Sequence, residues 1–126
     1  MKTIISTPEA PAAIGPYSQG TISGSFVFTS GQLPLVPETG AFPGDDVESQ
    51  THQAIKNLKA VLEAAGASLN SVLKTTVFIS DIKNFGEINS IYSQYFTENY
   101  PARSCFEVSA LPKGALLEIE AVAVKE

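Results

Sequence analysis

The sequence predicts a single α+β domain spanning residues 1–126, a mixed six-stranded sheet with two helices packed on one face. Two observations lead to that class. The hydrophobic period reads β-β-β-α-β-α-β-β along the chain, an order that layers helices on a sheet. With 126 residues, 44% of them apolar and 17% charged, the chain can bury one ordinary core and is too short for two.

Lys2 to Ser6, Thr21 to Ser23 and Phe26 to Gln32 read as short strands, the last with Phe26 and Phe28 on one side and Val27 on the other. Between the first two, Pro8 to Gly20 contains Pro8, Pro11, Pro16, Gly15 and Gly20, which exclude a helix and make a stiff, extended connection. Leu33 to Gly44, with three prolines and Gly40, is a loop. From Asp45 or Asp46 to Ala65 the period becomes helical. Val47, Thr51, Ala54, Ile55, Leu58, Val61, Leu62 and Ala65 form one stripe, and Gln53, Lys56, Lys59 and Glu63 face away from it. The aspartates supply an N-cap, and Gly66 suits the left-handed position past the end.

Val72 to Ser80, rich in Val, Ile, Thr and Phe, is a strand buried on at least one side. A second amphipathic helix follows, capped by Asn84 with Glu87 three residues on, its inward stripe being Phe85, Ile88, Tyr92, Tyr95 and Phe96. Pro101 ends it. Arg103 to Ser109 and Leu116 to Val124 are the closing strands, joined through Leu111-Pro112-Lys113-Gly114. In the last strand Leu117, Ile119, Ala121 and Ala123 share one side, while Leu116, Val122 and Val124 lie on the other with Glu118 and Glu120. Two helices cover only one of these faces. Monomers rarely expose large apolar patches, so the second face is expected to be covered by another subunit.

Composition narrows the function classes. The longest apolar runs fall far short of the roughly 20 residues that span a bilayer, and the N-terminus lacks the apolar core of a secretory signal, so a cytosolic protein is expected. One cysteine, Cys105, and one histidine, His52, exclude an intramolecular disulfide and a Cys/His metal cage. The net charge of −5, with seven lysines and no basic cluster, lacks the footprint of a nucleic-acid binder. Nucleotide-binding, P-loop, zinc-protease and serine-hydrolase motifs are all absent.

The candidate residues follow from charge and position. Arg103, the only arginine, has a planar fork of donors that matches a carboxylate. Arg103 and Glu118 both lie in late strands with apolar neighbours, where an uncompensated charge is costly. Either they form a structural ion pair tying two adjacent strands, or they mark a functional site; Glu120 shares the alternation of Glu118, so pattern does not separate the two. Tyr17 is a packing residue or a hydroxyl at a pocket rim. Ser30-Gly31 is a turn or a place where a hydroxyl and free backbone groups meet a ligand. His52 falls on the polar edge of the first helix as a solvated residue, and Cys105 is a small filler in its strand rather than a nucleophile.

Several linked segments share one pattern: Ile14-Gly15-Pro16-Tyr17-Ser18-Gln19-Gly20, Phe28-Thr29-Ser30-Gly31-Gln32, Asn84-Phe85 through Asn89 to Tyr92, Pro101-Ala102-Arg103-Ser104-Cys105, Leu111-Pro112-Lys113-Gly114 and Leu117-Glu118-Ile119-Glu120-Ala121. Over the whole chain this resembles the RidA (reactive intermediate deaminase, or YjgF) family. The resemblance implies a chorismate-mutase-like fold assembled as a homotrimer, with ligand sites in the clefts between subunits. It implies cofactor-free hydrolysis of 2-aminoacrylate and 2-aminocrotonate, released by pyridoxal-phosphate-dependent dehydratases, through their imines to 2-keto acids and ammonia. In that pattern Arg103 grips the substrate carboxylate and Glu118 activates water. Backbone groups of Cys105 and Gly31 hold the substrate nitrogen and the water, and Tyr17, Ser30 and Asn89 shape the pocket. An imine is already electrophilic, so positioning and one general base suffice without a metal. A non-catalytic keto-acid-binding protein on the same trimer is the alternative, since a fold does not fix a function. RNA cleavage, also proposed within the family, suits this acidic chain badly.

Overall fold

A computed structural model describes residues 1–126. Strands β1 (Lys2–Ile5), β2 (Gly20–Ser23) and β3 (Phe26–Thr29) form an antiparallel meander. Helix α1 (Val47–Ala64) leads to β4 (Val72–Ile79), and α2 (Phe85–Tyr95) connects β4 to β5 (Ala102–Glu107), which lies parallel to it. The last strand, β6 (Leu117–Val124), enters between β3 and β4 and pairs antiparallel with both, giving the order β1-β2-β3-β6-β4-β5. The mixed six-stranded sheet with two helices expected from the sequence is the observed fold.

The core lies between the sheet and α1. Val27, Val77, Ile79, Leu117, Ile119, Ala121 and Ala123 point to the helices from three adjacent strands, β3, β6 and β4, and they meet Ala54, Ile55, Leu58, Val61 and Leu62 of α1. Asp46 caps α1 by accepting from the Ser49 amide at 2.8 Å, and Gly66 takes a left-handed φ of 82° just past its end. The opposite face of the sheet carries Phe26, Phe28 and Phe106, each between 45% and 47% exposed. Phe28 is paired in register with Val122, and Phe78 with Phe106. One chain therefore leaves an apolar sheet face open.

Three local expectations need correction. The third strand ends at Thr29, not Gln32, because β2 begins opposite it at Gly20; Ser30 adds one more bond in register, to the Gln19 carbonyl at 2.9 Å, and Gln32 keeps only an isolated bridge to Ile119. Asn84 makes no capping bond; Asp81 caps a 3-10 turn, Ile82–Asn84, that feeds straight into α2. The turn expected at Leu111–Gly114 is present, as a 3-10 turn over Pro112–Gly114. His52 is half-buried rather than solvated, its Nδ1 lying 2.6 Å from the Tyr95 hydroxyl, because the polar edge of α1 is where the last turn of α2 packs.

The polar residues buried on α1 hold the long loop. Asn57, 1% exposed, donates to the carbonyls of Leu33 (2.9 Å) and Leu35 (2.8 Å). Gln50 donates to Gly44 and accepts from the Leu116 amide, each at 2.9 Å, so one side chain joins loop, helix and β6. Replacing Asn57 with Leu strands both loop carbonyls without donors, and an unsatisfied buried polar group costs about 1–3 kcal/mol. Denaturant unfolding at fixed protein concentration is expected to show that loss for Asn57→Leu; an unchanged midpoint would show that the loop is held otherwise.

Candidate active site

Arg103 stands on β5, at the edge of the sheet, in register with the fully buried Thr75 of β4. Thr75 faces the helices, so Arg103 and, two residues on, Cys105 face the helix layer as well. Helix α2 meets Arg103 with residues spaced by its own period, Phe85, Asn89 and Tyr92. The Asn89 Oδ1 accepts from Arg103 Nη1 at 2.7 Å, and the guanidinium carbon lies 4.8 Å from the Tyr92 ring centre and 5.5 Å from that of Phe85. The Tyr92 hydroxyl is tied to Thr75 Oγ1 at 2.8 Å, which fixes this platform to the sheet. Burial raises the Tyr92 phenol above its ordinary value, against the pull of Thr75 and Arg103, so it stays neutral. Arg103 itself is exposed beside a cavity of about 420 Å³ that Asn89, Tyr92, Phe96, Tyr100 and Pro101 also line. One edge of its fork is oriented by Asn89 and one face by aromatic rings, which leaves further donors for a planar anion.

Cys105 packs half-buried at the margin of the core, and burial raises its thiol more than Arg103 lowers it. Burial that raises the thiol gives no support to a nucleophilic role for Cys105.

Glu118 belongs to the other face. It alternates with the buried Leu117 and Ile119 and is in register with Phe78. Gln32 and Ile119 exchange two backbone bonds, of 2.7 and 3.2 Å, and this bridge lays Gly31 against the Glu118 side chain. A Cβ at Gly31 would come within 2.7 Å of Glu118 Cδ, so a side chain there would push the carboxylate from the place it occupies. Burial, and then the charge of Glu120 two residues along, raise the Glu118 carboxyl above the ordinary range. Glu120 lies elsewhere, in a hollow of about 110 Å³ with Lys74, Thr76, Phe28 and Val122. That difference separates two glutamates the strand pattern could not. Next to Gly31 in the chain, Ser30 donates through Oγ to the Ser18 carbonyl at 2.5 Å, and with Tyr17 it lines an open cavity of about 590 Å³.

The candidate residues therefore fall into two groups: Asn89, Arg103 and Cys105 by the helix layer, and Tyr17, Ser30, Gly31 and Glu118 by the meander and the open face. The structural ion pair is contradicted. Strand β4 separates β5 from β6, the two side chains project from opposite faces, and the chain's one ion pair is Lys59–Glu63 at 4.0 Å. Nor is Arg103 a buried charge. The sequence reading missed Tyr92 and Phe85 as its platform, because an aromatic on the inward stripe of a helix reads as core; the polar Asn89 on the same turns is the only signal. No three His, Cys, Asp or Glu side chains are placed to hold a metal ion, and no helix is long and apolar enough to cross a membrane.

A family model described as endoribonuclease L-PSP matches residues 7–125. The chain belongs to the RidA (YjgF) family. Among its RidA relatives, a RutC family protein of Pyrococcus horikoshii is 51% identical, with 100% of both chains covered. The 2-iminobutanoate/2-iminopropanoate deaminase of Salmonella typhimurium is 50% identical over 99% of each. The crystal structure of Escherichia coli TdcF with bound serine superposes with a TM-score of 0.94 at 50% identity, covering 98% of this chain and 99% of that one. RidA proteins at about this similarity thus carry both deaminase and less specific names.

The raised Glu118 carboxyl has a stability consequence of definite sign. A carboxyl whose pKa is higher folded than unfolded favours folding below its unfolded value and loses that contribution as pH rises through the folded value. At neutral pH the ionised Glu118 is therefore a burden on the fold of the single chain. Thermal unfolding at a dilution that keeps the chains apart is expected to show Glu118→Gln more stable than wild type at pH 7, with the difference shrinking below the ordinary carboxylate range. A variant less stable than wild type at pH 7 would mean that the carboxylate is held by favourable contacts.

Proposed function

We propose that the protein hydrolyses the imines of short 2-amino acids, those derived from 2-aminoacrylate and 2-aminocrotonate, to pyruvate or 2-oxobutanoate and ammonia. The observation that carries this reading is the pairing of an oriented, exposed Arg103 fork with a partly desolvated carboxylate, Glu118, backed by Gly31. The first suits the carboxylate of a 2-imino acid. The second suits a base that takes a proton from water and returns it to a leaving amine, because its pKa is moved toward the working pH. The deaminase named among the relatives of about 50% identity supports the same chemistry.

The steps balance without another reactant. With the carboxylate on Arg103, water attacks the imine carbon while Glu118 accepts one of its protons. The imine reacts as its protonated iminium, so the carbon–nitrogen double bond becomes single and its electron pair is left on an NH2 group. Glu118 returns its proton to that nitrogen, and collapse of the carbinolamine breaks the carbon–nitrogen bond and forms the keto group as the hydroxyl proton passes back to Glu118 and leaves with the ammonia as ammonium. Backbone groups at Cys105 and Gly31 hold the nitrogen and the water, and Tyr17, Ser30 and Asn89 shape the space. Fixing both reactants supplies much of the rate, since well-oriented intramolecular reactions gain roughly 7–11 kcal/mol.

Because Arg103 and Glu118 project from opposite faces of one sheet, the site is assembled from two subunits: Arg103 of one chain meets Glu118 of the next. A homotrimer closes three such contacts while covering the open face that carries Phe26, Phe28 and Phe106. The imines come from pyridoxal-phosphate-dependent dehydratases, in the cytoplasm.

A dehydratase-coupled assay, with keto-acid binding measured alongside, separates binding from chemistry. Arg103→Lys keeps the charge and loses the fork, so binding and turnover are expected to fall together. Glu118→Gln keeps the shape and loses the base, so turnover is expected to fall by about 10²–10⁴-fold with binding little changed. Wild-type turnover in a trimeric Glu118→Gln protein would remove Glu118 as the water-activating group, and keto-acid binding without any imine turnover by the wild type would favour a metabolite sensor.

A further inference from the structure

The segment between β1 and β2 cannot secure itself. Pro8, Pro11 and Pro16 lack amide hydrogens and the segment joins no strand, so its carbonyls need donors from elsewhere. One side chain supplies them. Gln19, 5% exposed, donates through Nε2 to the carbonyls of Thr7 (3.0 Å), Ala10 (3.3 Å) and Pro11 (2.8 Å), and its Oε1 accepts from the Thr7 amide at 2.7 Å. The carboxamide fits in only one orientation, with nitrogen toward the carbonyls and oxygen toward the N–H.

The backbone beside Gln19 makes the second half of the clamp. Its own carbonyl accepts from the Ser30 amide at 2.9 Å, and the neighbouring Ser18 carbonyl accepts from the Ser30 hydroxyl at 2.5 Å. Below it there is no slack: a Cβ at Gly20 would lie 2.8 Å from both the Phe28 carbonyl oxygen and Ile5 Cδ1. Between the held Pro11 and the held Ser18 the chain makes a short arch. It passes through Gly15, whose φ of 132° favours glycine, to the exposed Tyr17, whose hydroxyl accepts from the Ile14 amide at 3.3 Å. This arch and Ser30 wall the 590 Å³ cavity.

We infer that Gln19 is a positioning residue for the ligand cleft: its carboxamide fixes the arch that carries Tyr17 and, through the adjoining backbone, the place of Ser30. The inference rests on the proposed function in taking Tyr17 and Ser30 as walls of the reacting site. Gln19 itself lies beneath them and touches no reacting atom. Glutamate at this position would set carboxylate oxygens against three carbonyls, and methionine would fill the space while leaving all three without a donor.

The test is a double-mutant cycle on the assembled protein with Gln19→Met and Tyr17→Ala, combined with amide hydrogen exchange. A misplaced arch is expected to lower kcat for Gln19→Met by about 10–100-fold, in line with the cost of displacing a positioned group by an ångström. If Gln19 acts through Tyr17, the double variant loses no more than the worse single variant. Exchange is expected to quicken over residues 12–18 and at Ser30, with β4 and β6 unchanged. Multiplicative losses in kcat, or exchange that rises uniformly through the sheet, would reduce Gln19 to a general stabilising residue and overturn the inference. If Gln19→Met does not fold, Gln19→Asn keeps the amide but falls one methylene short and serves in its place. A wild-type protein without imine turnover would sink the deaminase reading, and the exchange pattern would still decide whether Gln19 holds the arch.

Discussion

The pairing of β6 with both β3 and β4 is the contact on which the other elements depend. Until the last strand enters, the meander and the β4-α2-β5 unit share no sheet edge, and α1 has no continuous floor. Once it enters, Leu117, Ile119, Ala121 and Ala123 fill the space beneath α1, and Glu118 and Glu120 are thrown to the other side by the two-residue period of a strand. The same insertion sets β6 and β5 apart by the width of β4. Arg103 and Glu118 are thereby set on opposite faces of the sheet with β4 between their strands.

That separation explains features that are costly within a single chain. The open face exposes Phe26, Phe28 and Phe106, and the Glu118 carboxyl is partly desolvated with a second glutamate beside it. Neither favours an isolated monomer. Both fit a surface that closes on another copy, where the apolar rings are covered and a desolvated base faces a cationic fork. The acidic net charge and the small number of basic groups belong with the same reading, since the one arginine is committed to an oriented cradle and not to a phosphate-binding surface.

Much of this was legible in the sequence because it rests on periodicity. The stripe of α1, the alternation of β6 and the two-sided apolar character of that strand led to the two-layer fold and its open face. What was not legible depends on strand order. Arg103 and Glu118 look like neighbours in sequence and in closing strands, and only the placement of β4 between them excludes a pair within one chain. The glutamate ambiguity likewise needed Gly31, since the close approach of its backbone to Glu118 leaves no mark on the strand pattern. His52 was misjudged, and the contact of the correctly buried Tyr92 with Arg103 was missed, for a shared reason: a helix wheel assigns faces to solvent or core and does not say which face a second helix, or a guanidinium, will meet.

Relatives of similar identity carry deaminase, RutC and endoribonuclease names, so the arrangement of the site has to decide among chemistries that the family name leaves open. The most direct test of a site shared between subunits is complementation. Arg103→Ala and Glu118→Gln proteins, each deficient alone, are unfolded together in equal amounts, refolded as mixed oligomers and assayed for imine hydrolysis. Random mixing in a closed ring leaves about one interface in four with both groups intact, so turnover is expected to recover to about a quarter of the wild-type value. Recovery no greater than the sum of the two separate variants, in oligomers shown to be mixed, would contradict a site built from Arg103 of one chain and Glu118 of another.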